Sequence, residues 1–310
     1  MQASRLKGRV KHLYNFTGLT VEQFDDLSKA VEKELEVTKR TDCKARKRAV
    51  GGGRKTNLSV EDQVLVILMY YRLYLTQILL GYLFDLDDSN VSRLINKLRS
   101  ILIEVLPVPV QERTLLAVPE GSKKRISSLE ELLEKHPEFK EVLVDATEQE
   151  IQKPKDKQKR KDNYSGKKKR HTNKTQITST ANKLIVHLTR SVPGKVSDIN
   201  LLRGTGLLSD LPPHIGLRVD KGYDGIEKDF PERTFHQPYK ARRNKPLDFI
   251  QRCLNRIEHS LRFPVEHTIA HLKRFKFLAG IFRGKEESYD DSFLAIAGLH
   301  NFRKLNSLVW

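Results

Sequence analysis

The spacing of apolar side chains changes once along this chain of 310 residues, and the change limits the folds that the chain can adopt. Up to about residue 105, apolar side chains recur at intervals of three and four, as in Phe24, Leu27, Val31 and Leu35, which is the period of a helix with one buried face. From Glu141 onward, alternation with a period near two and runs of β-branched residues are typical of strands. We therefore predict an α/β protein in which an all-α part precedes a domain with a mixed sheet.

The second part of the chain contains five predicted strands, at residues 141–147, 174–180, 184–189, 216–220 and 234–238. Asn182–Lys183 is the predicted hairpin turn between the second and third of them. A helix begins at Ser197 or Asp198, and the chain is helical again from Phe249. The predicted organisation is a helical domain at residues 1–105, which includes a basic, Gly-rich linker at 39–55, then a connector at 106–137 and a second domain at 138–310.

The chain carries 57 Lys and Arg residues against 39 Asp and Glu residues, a net charge of +18. Such an excess repels itself in a compact protein, so a polyanion is the expected partner: nucleic acid first, and an anionic membrane surface second. The longest apolar runs, Val64–Tyr71 and Ile78–Phe84, are far shorter than the roughly 20 residues of a membrane helix, and the N-terminus shows no secretory signal. Two cysteines, Cys43 and Cys253, are too few for a disulfide framework or a zinc cluster and suit a reducing compartment.

Residues 76–104 have the pattern of a helix-turn-helix. A short apolar helix at residues 76–84 is followed by a polar turn and by a second helix with one apolar face. The other face of the second helix presents Asn90, Arg93, Asn96 and Lys97, whose side chains can contact base edges or phosphates. The alternative is two helices of an ordinary bundle, and the aspartates at 85, 87 and 88 in the turn weigh against a DNA backbone nearby.

A run of basic residues lies between the first and second predicted strands. Between Lys153 and Lys174 there are eleven basic and two acidic residues. Such a run is commonly a solvated loop. Because Tyr164 and the turn pair Ser165–Gly166 lie inside it, we favour a hairpin extension that grips DNA phosphates.

Two aspartates end predicted strands, Asp145 the first and Asp220 the fourth. Each alone is most simply a turn or cap residue. If the two strands are neighbours in one sheet, however, both carboxylates reach a shared cation, and two hard cations held by oxygen ligands are suited to attack on a phosphodiester. A predicted helix at residues 254–278 adds Glu266, which shares one stripe with His259, Arg262 and Lys273. The simpler interpretation of that stripe is a solvated face with an Arg262–Glu266 ion pair.

These segments resemble DDE transposases of bacterial insertion sequences, most closely the insertion-sequence-five family, which is related to Harbinger elements. The resemblance rests on Val-Asp145-Ala-Thr-Glu, residues 164–176, Val-Asp220-Lys-Gly-Tyr-Asp-Gly and residues 262–275, and it extends to Leu299-His-Asn-Phe-Arg303. It implies a ribonuclease-H-like catalytic domain after an all-α helix-turn-helix domain. It further implies two Mg²⁺ ions, for which Mn²⁺ can substitute, held by Asp145, Asp220 and Glu266.

The expected DNA contacts fall on both parts of the chain, and the proposed residues are Arg93, Asn96, Lys97, Lys167, Lys168, Lys169, Arg170, Lys221, Arg262 and Lys273. The third block departs from the family pattern, because His259 occupies the place of a tyrosine. Pro264 lacks an amide hydrogen and would kink a continuous helix or start a new one. A new helix would move His259 and Arg262 off the stripe and keep Glu266 in a first turn.

The resemblance predicts a transposase that cuts at terminal inverted repeats and joins the freed 3′ ends to target DNA. The expected partner is double-stranded DNA. We expect the active assembly to be a homodimer or a larger oligomer. We expect it in the bacterial cytoplasm, associated with the nucleoid and not with a membrane. Two alternatives stay open: a DNA-binding regulator without turnover, and a domesticated nuclease that never joins ends. An RNA-binding protein is less favoured, because the sequence shows no aromatic-rich platform for single strands.

Overall fold

The computed structural model describes residues 1–44, 58–110 and 140–307. The chain forms two compact units. The helical unit comprises residues 1–107, 274–280 and 291–310, and the sheet unit comprises residues 108–273 and 281–290. Most of the predicted linker at 39–55 and of the predicted connector at 106–137 lies outside the described residues.

The N-terminal part of the helical unit is a succession of six helices: α1 (Ala3–Lys7), α2 (Val10–Thr17), α3 (Val21–Lys44), α4 (Val60–Leu73), α5 (Gln77–Phe84) and α6 (Asp88–Val105). Two predicted helix starts are confirmed by their caps. Thr20 and Gln23 exchange side-chain to backbone hydrogen bonds at the start of α3, and the Ser59 hydroxyl accepts from the Asp62 amide at the start of α4.

The helical unit also includes C-terminal residues that the prediction assigned to the catalytic domain. Helix α12 (Lys276–Ala279) lies in it, as does most of α13 (Tyr289–Ser307). The ring of Phe277 packs edge-on against Tyr70, Tyr71 and Tyr74, with centroids 5.0–5.7 Å apart. Edge-to-face contacts of this kind add to the free energy of burying each ring, so the segment is part of the core of this unit.

Helices α5 and α6 form the predicted helix-turn-helix. The aspartates in the turn cap the two helices. Asp85 ends α5 in the left-handed conformation with φ 54°, and the Asp87 side chain accepts from the Ser89 amide at the start of α6. The turn is tight: a Cβ at Gly81 would overlap the carbonyl oxygen of Leu86. The acidic residues therefore have a local structural role that explains their presence beside a candidate DNA-reading helix.

The sheet unit is built on a mixed sheet of the strands β1 (Glu141–Glu150), β2 (Tyr164–Ser165), β3 (Arg170–Ser179), β4 (Ile185–Leu188), β5 (Val192–Pro193), β6 (Gly216–Arg218) and β7 (Phe235–His236). The order is β2-β3-β1-β6-β7, and β4 and β5 also pair with β3. Strand β1 runs antiparallel to β3 and parallel to β6, which runs parallel to β7. All five predicted strands are present, and the first and fourth are neighbours as expected.

The helices of the sheet unit are α7 (Lys157–Asp162), α8 (Asp198–Arg203), α9 (Leu207–Asp210), α10 (Ile226–Asp229) and α11 (Phe249–Leu272), with 3₁₀ turns at Lys221–Tyr223 and Glu286–Ser288. Strands β1 and β6 contribute Val142, Val144 and Leu217 to a buried apolar core. Ser197 caps α8, so the first of the two predicted helix starts is correct.

Helix α11 runs through Pro264 without interruption, and it ends at Leu272 instead of the predicted Leu278. Of the two alternatives at Pro264, a new helix start does not occur, and the helix is continuous. Asp248 and Gln251 form a complete capping box at the start of the helix, and Arg262 and Val265 are buried beside the proline. Tertiary packing therefore outweighs the backbone hydrogen bond that the proline removes. In the described part of the chain, no helix combines the length and the apolar character required to cross a bilayer.

Candidate active site

Asp145 of β1 lies level with Asp220, which follows the end of the parallel strand β6 by two residues. Leu143 pairs with Arg218 across these strands, and the same register continued by two residues places Asp145 opposite Asp220. Side chains of residues two apart in a strand point to the same face. The two carboxylates therefore converge where β6 ends, although they are far apart in the sequence. Strand β1 continues to Glu150, so Asp145 lies within its strand and not at the predicted end.

One guanidinium lies between the two carboxylates. Arg262 of α11 approaches Oδ1 of Asp220 at 3.1 Å and Oδ2 of Asp145 at 3.8 Å, and its side chain is only 6% exposed. Its Nε is buried without a hydrogen-bond partner in the described structure. The position of the guanidinium shows that the pair of aspartates can bind a shared cation.

Burial changes the acidity of Asp145. It raises the pKa of Asp145 to about 6, because loss of water around the carboxylate outweighs the attraction of Arg262 and the hydrogen bond from the Ala146 amide. Burial also raises the pKa of the neighbouring Tyr223 well above its ordinary value, and Asp198 and Asp145 add to the effect. The phenol of Tyr223 stays protonated and donates to Oε1 of Gln176 at 3.4 Å. An additional positive charge beside Asp145 would thus stabilise its ionised form.

A second arginine joins the same strands to the same helix. Arg218 donates to Oε2 of Glu141 at 2.7 Å and also binds Glu258 of α11. Glu258 and Arg262 are one turn apart on the helix, and their partners Arg218 and Asp220 are two residues apart along the chain. These paired contacts fix the position of α11 along β1 and β6. Sequence analysis missed this group, although an arginine inside the apolar segment Gly-Leu-Arg218-Val was a visible signal.

Glu266 lies one helical turn beyond Arg262, about 6 Å further along the axis of α11. Its side chain is 35% exposed, and its Oε1 is 3.9 Å from Nδ1 of His259. Across residues 1–44, 58–110 and 140–307, no three His, Cys, Asp or Glu side chains are close enough together to hold a metal ion. The structure thus brings Asp145 and Asp220 together, whereas Glu266 lies on the turn of α11 that follows Arg262.

A buried polar group flanks the carboxylates. Lys174 of β3 donates to Oδ1 of Asp198 at 2.8 Å and to the carbonyl of Val196 at 2.6 Å, and it lies 3.7 Å from Oε1 of Glu148. The ammonium of Lys273 donates to the carbonyl oxygen of Glu148 at 2.8 Å. Burial, together with the positive charge of nearby Lys168, lowers the pKa of Lys273 to about 8. Glu148, Lys174 and Asp198 were not among the predicted site residues.

The predicted DNA contacts divide into exposed and buried residues. Arg93, Asn96 and Lys97 are exposed on α6, and Lys167 to Arg170 are exposed in the turn between β2 and β3, where Arg170 pairs with Glu150 at 2.6 Å. Lys221 is exposed at the 3₁₀ turn after β6. Arg262 is buried, Lys273 is half-buried, and both are bonded to protein groups, so a phosphate contact by either stays a prediction.

Comparison with known proteins identifies the family of the chain. A family model described as DDE superfamily endonuclease matches residues 144–301, and one described as helix-turn-helix of DDE superfamily endonuclease matches residues 56–107. The chain belongs to the DDE endonuclease superfamily. A protein of Microchaete diplosiphon named "Probable transposase for insertion sequence element IS702" is 30% identical over 251 residues, which cover 81% of this chain and 83% of that protein. No solved structure shows significant similarity to the chain.

Membership in the DDE endonuclease superfamily confirms the predicted fold class. A helical region with a helix-turn-helix precedes a mixed sheet domain consistent with a ribonuclease-H-like catalytic domain. Enzymes of this superfamily generally use divalent metal ions. The donor set at Asp145 and Asp220 fits such an ion, because it consists of carboxylate oxygens that already converge on a cationic group.

Proposed function

We propose that the protein is a transposase of the insertion-sequence-five type that cuts DNA at the terminal inverted repeats of its element. The convergence of Asp145 and Asp220 on one guanidinium carries the proposal, because this is the arrangement that a cation-dependent phosphodiester reaction requires. The freed 3′-hydroxyl would then attack target DNA. We expect the protein to act on nucleoid DNA in the bacterial cytoplasm.

We propose Asp145, Asp220 and Glu266 as the ligands of two Mg²⁺ ions, with Mn²⁺ as a possible substitute. When bound, the ions would lower the pKa of water and stabilise charge on the leaving oxygen. Glu266 is half-buried, and its backbone is held within the continuous helix α11. The contacts between Arg218 and Glu258 hold that helix against β1 and β6. These contacts would hold the two aspartates in place before DNA binds, which reduces the entropy that is lost in ordering them during the reaction.

The exposed basic residues would bind the DNA backbone. Lys167, Lys168, Lys169 and Arg170 at the hairpin and Lys221 beside Asp220 are candidates for phosphate contacts, and Arg93, Asn96 and Lys97 on α6 for contacts to the terminal repeat. Arg262 would neutralise phosphate charge from a buried position, and Lys273 from a half-buried one. Since two element ends are cut and joined, we expect at least a homodimer in the active assembly.

A nicking assay tests the acidic pair. The purified protein is incubated with Mg²⁺ and a labelled duplex that carries one inverted repeat from beside the coding region. We expect nicking by the wild type and a loss of at least about a thousandfold in Asp145→Asn and Asp220→Asn, as for removal of an essential electrostatic group. Asp229→Asn, a surface aspartate paired with Arg203, is the matched control and should nick normally. Equal nicking by all variants would exclude the site.

Metal binding has its own measurement. Mn²⁺ added without DNA should raise the melting temperature of the wild type and of Asp229→Asn, but not that of Asp145→Asn. A strand-transfer assay with precut ends separates the alternatives. Cleavage without joining would indicate a nuclease, and binding without either reaction would indicate a regulator.

A further inference from the structure

The segment that follows β7 leaves the sheet at the same edge as the two aspartates. Strands β6 and β7 are parallel, with Arg218 opposite His236, so the same register places Asp220 level with Pro238. Lys240 then approaches Oδ2 of Asp224 at 3.2 Å. Ligands of open α/β sheets bind beyond the carboxyl ends of the strands, which is where this segment lies.

The backbone of Tyr239 is held while its ring is left in solvent. The Asn255 side chain of α11 accepts from the Tyr239 amide at 2.7 Å and donates to the Tyr239 carbonyl at 2.9 Å. The side chain of Tyr239 is 47% exposed. Fixing a backbone in this way while exposing an aromatic ring gives a platform that loses little conformational entropy when a planar group stacks on it.

Cations surround this platform. The chain reverses at residues 242–245, where the amide of each of Arg242 and Lys245 donates to the carbonyl of the other, at 3.1 and 3.0 Å. Arg242, Arg243 and Lys245 are exposed, and Lys240 is exposed beside its partner Asp224. The carboxylates of Asp224 and Glu227 are paired with Lys240 and Gln237, and the exposed Arg242, Arg243 and Lys245 add positive charge that favours an anion.

A cleft of about 520 Å³ lies between these groups. Its lining includes the rings of Phe235 and Tyr239 and the side chains of Lys240, Arg242 and Lys245. This size is within the range of small-ligand sites. An aromatic face beside cations matches the two halves of a nucleotide, because bases stack on aromatic rings and phosphates bind Lys and Arg.

We propose that this cleft, which no comparison assigns, binds one unpaired nucleotide of the DNA strand beside the reacting phosphate. The base stacks on Tyr239, and the phosphates bind Arg242 and Lys245. The inference rests on the proposed function, since it assumes that DNA occupies the edge at Asp145 and Asp220. It adds a site that selects frayed or already cut ends over continuous duplex.

The test measures binding alone, by fluorescence anisotropy of the full chain in the presence of EDTA. One probe is a blunt duplex, and the other is the same duplex with a short single-stranded thymidine extension. We expect wild type to bind the extended probe about tenfold more tightly, which is the effect of one stacked base. Tyr239→Ala should lose the preference, and Tyr239→Phe should keep it. Phe249→Ala, which removes a ring that is 72% exposed in the same unit, is the matched control.

Asn255→Leu tests the platform separately. It should reduce the preference for the extended probe and leave blunt-duplex binding unchanged, because only the position of Tyr239 is loosened. Thermal melting of each variant shows whether the fold is intact. Loss of the preference in Phe249→Ala instead of Tyr239→Ala would overturn the assignment, as would equal binding of both probes by wild type. Binding of free thymidine monophosphate that depends on Tyr239, without any preference between probes, would point to a free nucleotide and also overturn it.

Failure of the proposed function has a different signature. Because the binding measurement contains no metal ion, it does not depend on cleavage. If the protein prefers the extended probe through Tyr239 and never nicks DNA with Mg²⁺, the assignment of the cleft stands and the transposase proposal fails.

Discussion

Arg218 binds Glu258, and this pair joins the strand that leads to Asp220 with the helix that carries Arg262 and Glu266. The arginine side chain is 6% exposed and also binds Glu141 of β1. Two strands and one helix thus meet at a single guanidinium. The geometry of the acidic pair depends on this contact, because α11 positions Arg262 over both aspartates.

Replacing Arg218 should cost much more stability than replacing either of its partners. Arg218→Met leaves two carboxylates without their cation, and breaking a buried ion pair in this way costs about 3–5 kcal/mol. Glu258→Gln leaves Glu141 paired with the arginine, so we expect a loss of about 1 kcal/mol. Urea unfolding measures both. Arg203→Met, at an exposed pair with Asp229, is the control and should cost less than about 1 kcal/mol. Equal losses for Arg218→Met and Arg203→Met would show that the group has no positioning role.

Asp145→Asn should stabilise the protein at high pH. Burial raises the pKa of Asp145 from 3.8 to about 6, so the folded state holds this proton more tightly than the unfolded chain. The cost of ionising the buried group is absent below pH 3.8 and complete above about pH 6. The free energy of unfolding of the variant should therefore exceed that of wild type by about 2–3 kcal/mol at pH 8 and match it near pH 4. A variant less stable than wild type at pH 8 would contradict this expectation.

His187 should make the protein less stable in mild acid. Its side chain is fully buried in β4, both ring nitrogens lack a hydrogen-bond partner in the described structure, and burial lowers its pKa from 6.5 to about 4. The unfolded chain therefore takes up the proton first, and stability falls as the pH drops from about 6.5 towards 4. We expect a loss of about 2 kcal/mol between pH 7.5 and pH 5 that His187→Leu removes. Urea unfolding of both proteins across this range measures the loss. The same pH dependence in wild type and His187→Leu would contradict the prediction.

Gly81→Ala should disrupt the helix-turn-helix. A methyl group at this position would overlap the carbonyl oxygen of Leu86, so the turn between α5 and α6 must open. We expect a loss of about 1–3 kcal/mol in stability and at least about tenfold weaker binding to a terminal-repeat duplex. Gly8→Ala in the same unit is the control, since a Cβ there makes an ordinary contact at 3.7 Å with the carbonyl oxygen of Arg5. Repeat binding that is unchanged in Gly81→Ala would show that α6 is not the reading helix.

Local patterns were sufficient to predict most elements of the fold. Alternating apolar residues gave the strands, and cap residues such as Thr20, Ser59 and Ser197 marked helix starts correctly, because these signals act over only a few residues. The register that places Asp145 opposite Asp220 followed from one further assumption, that β1 and β6 are neighbours.

The contacts that organise the candidate site were less accessible from sequence. The roles of Arg218 and Lys174 depend on partners that lie far away along the chain, and no periodic pattern specifies such pairs. Pro264 suggested a break that buried neighbours prevent. Arg262 and Lys273 were predicted as DNA contacts from their positions on one helical stripe and from the family resemblance, neither of which shows whether a side chain is already bonded within the protein.

The composition of the helical unit has a consequence for synthesis of the protein. Its core needs Phe277 and residues of α13, which the ribosome produces after most of the sheet unit. The first hundred or so residues therefore emerge without these packing partners, and the unit closes only after most of the sheet unit has been synthesised. A nascent or truncated copy that stops short of Phe277 lacks part of the core against which α4 packs.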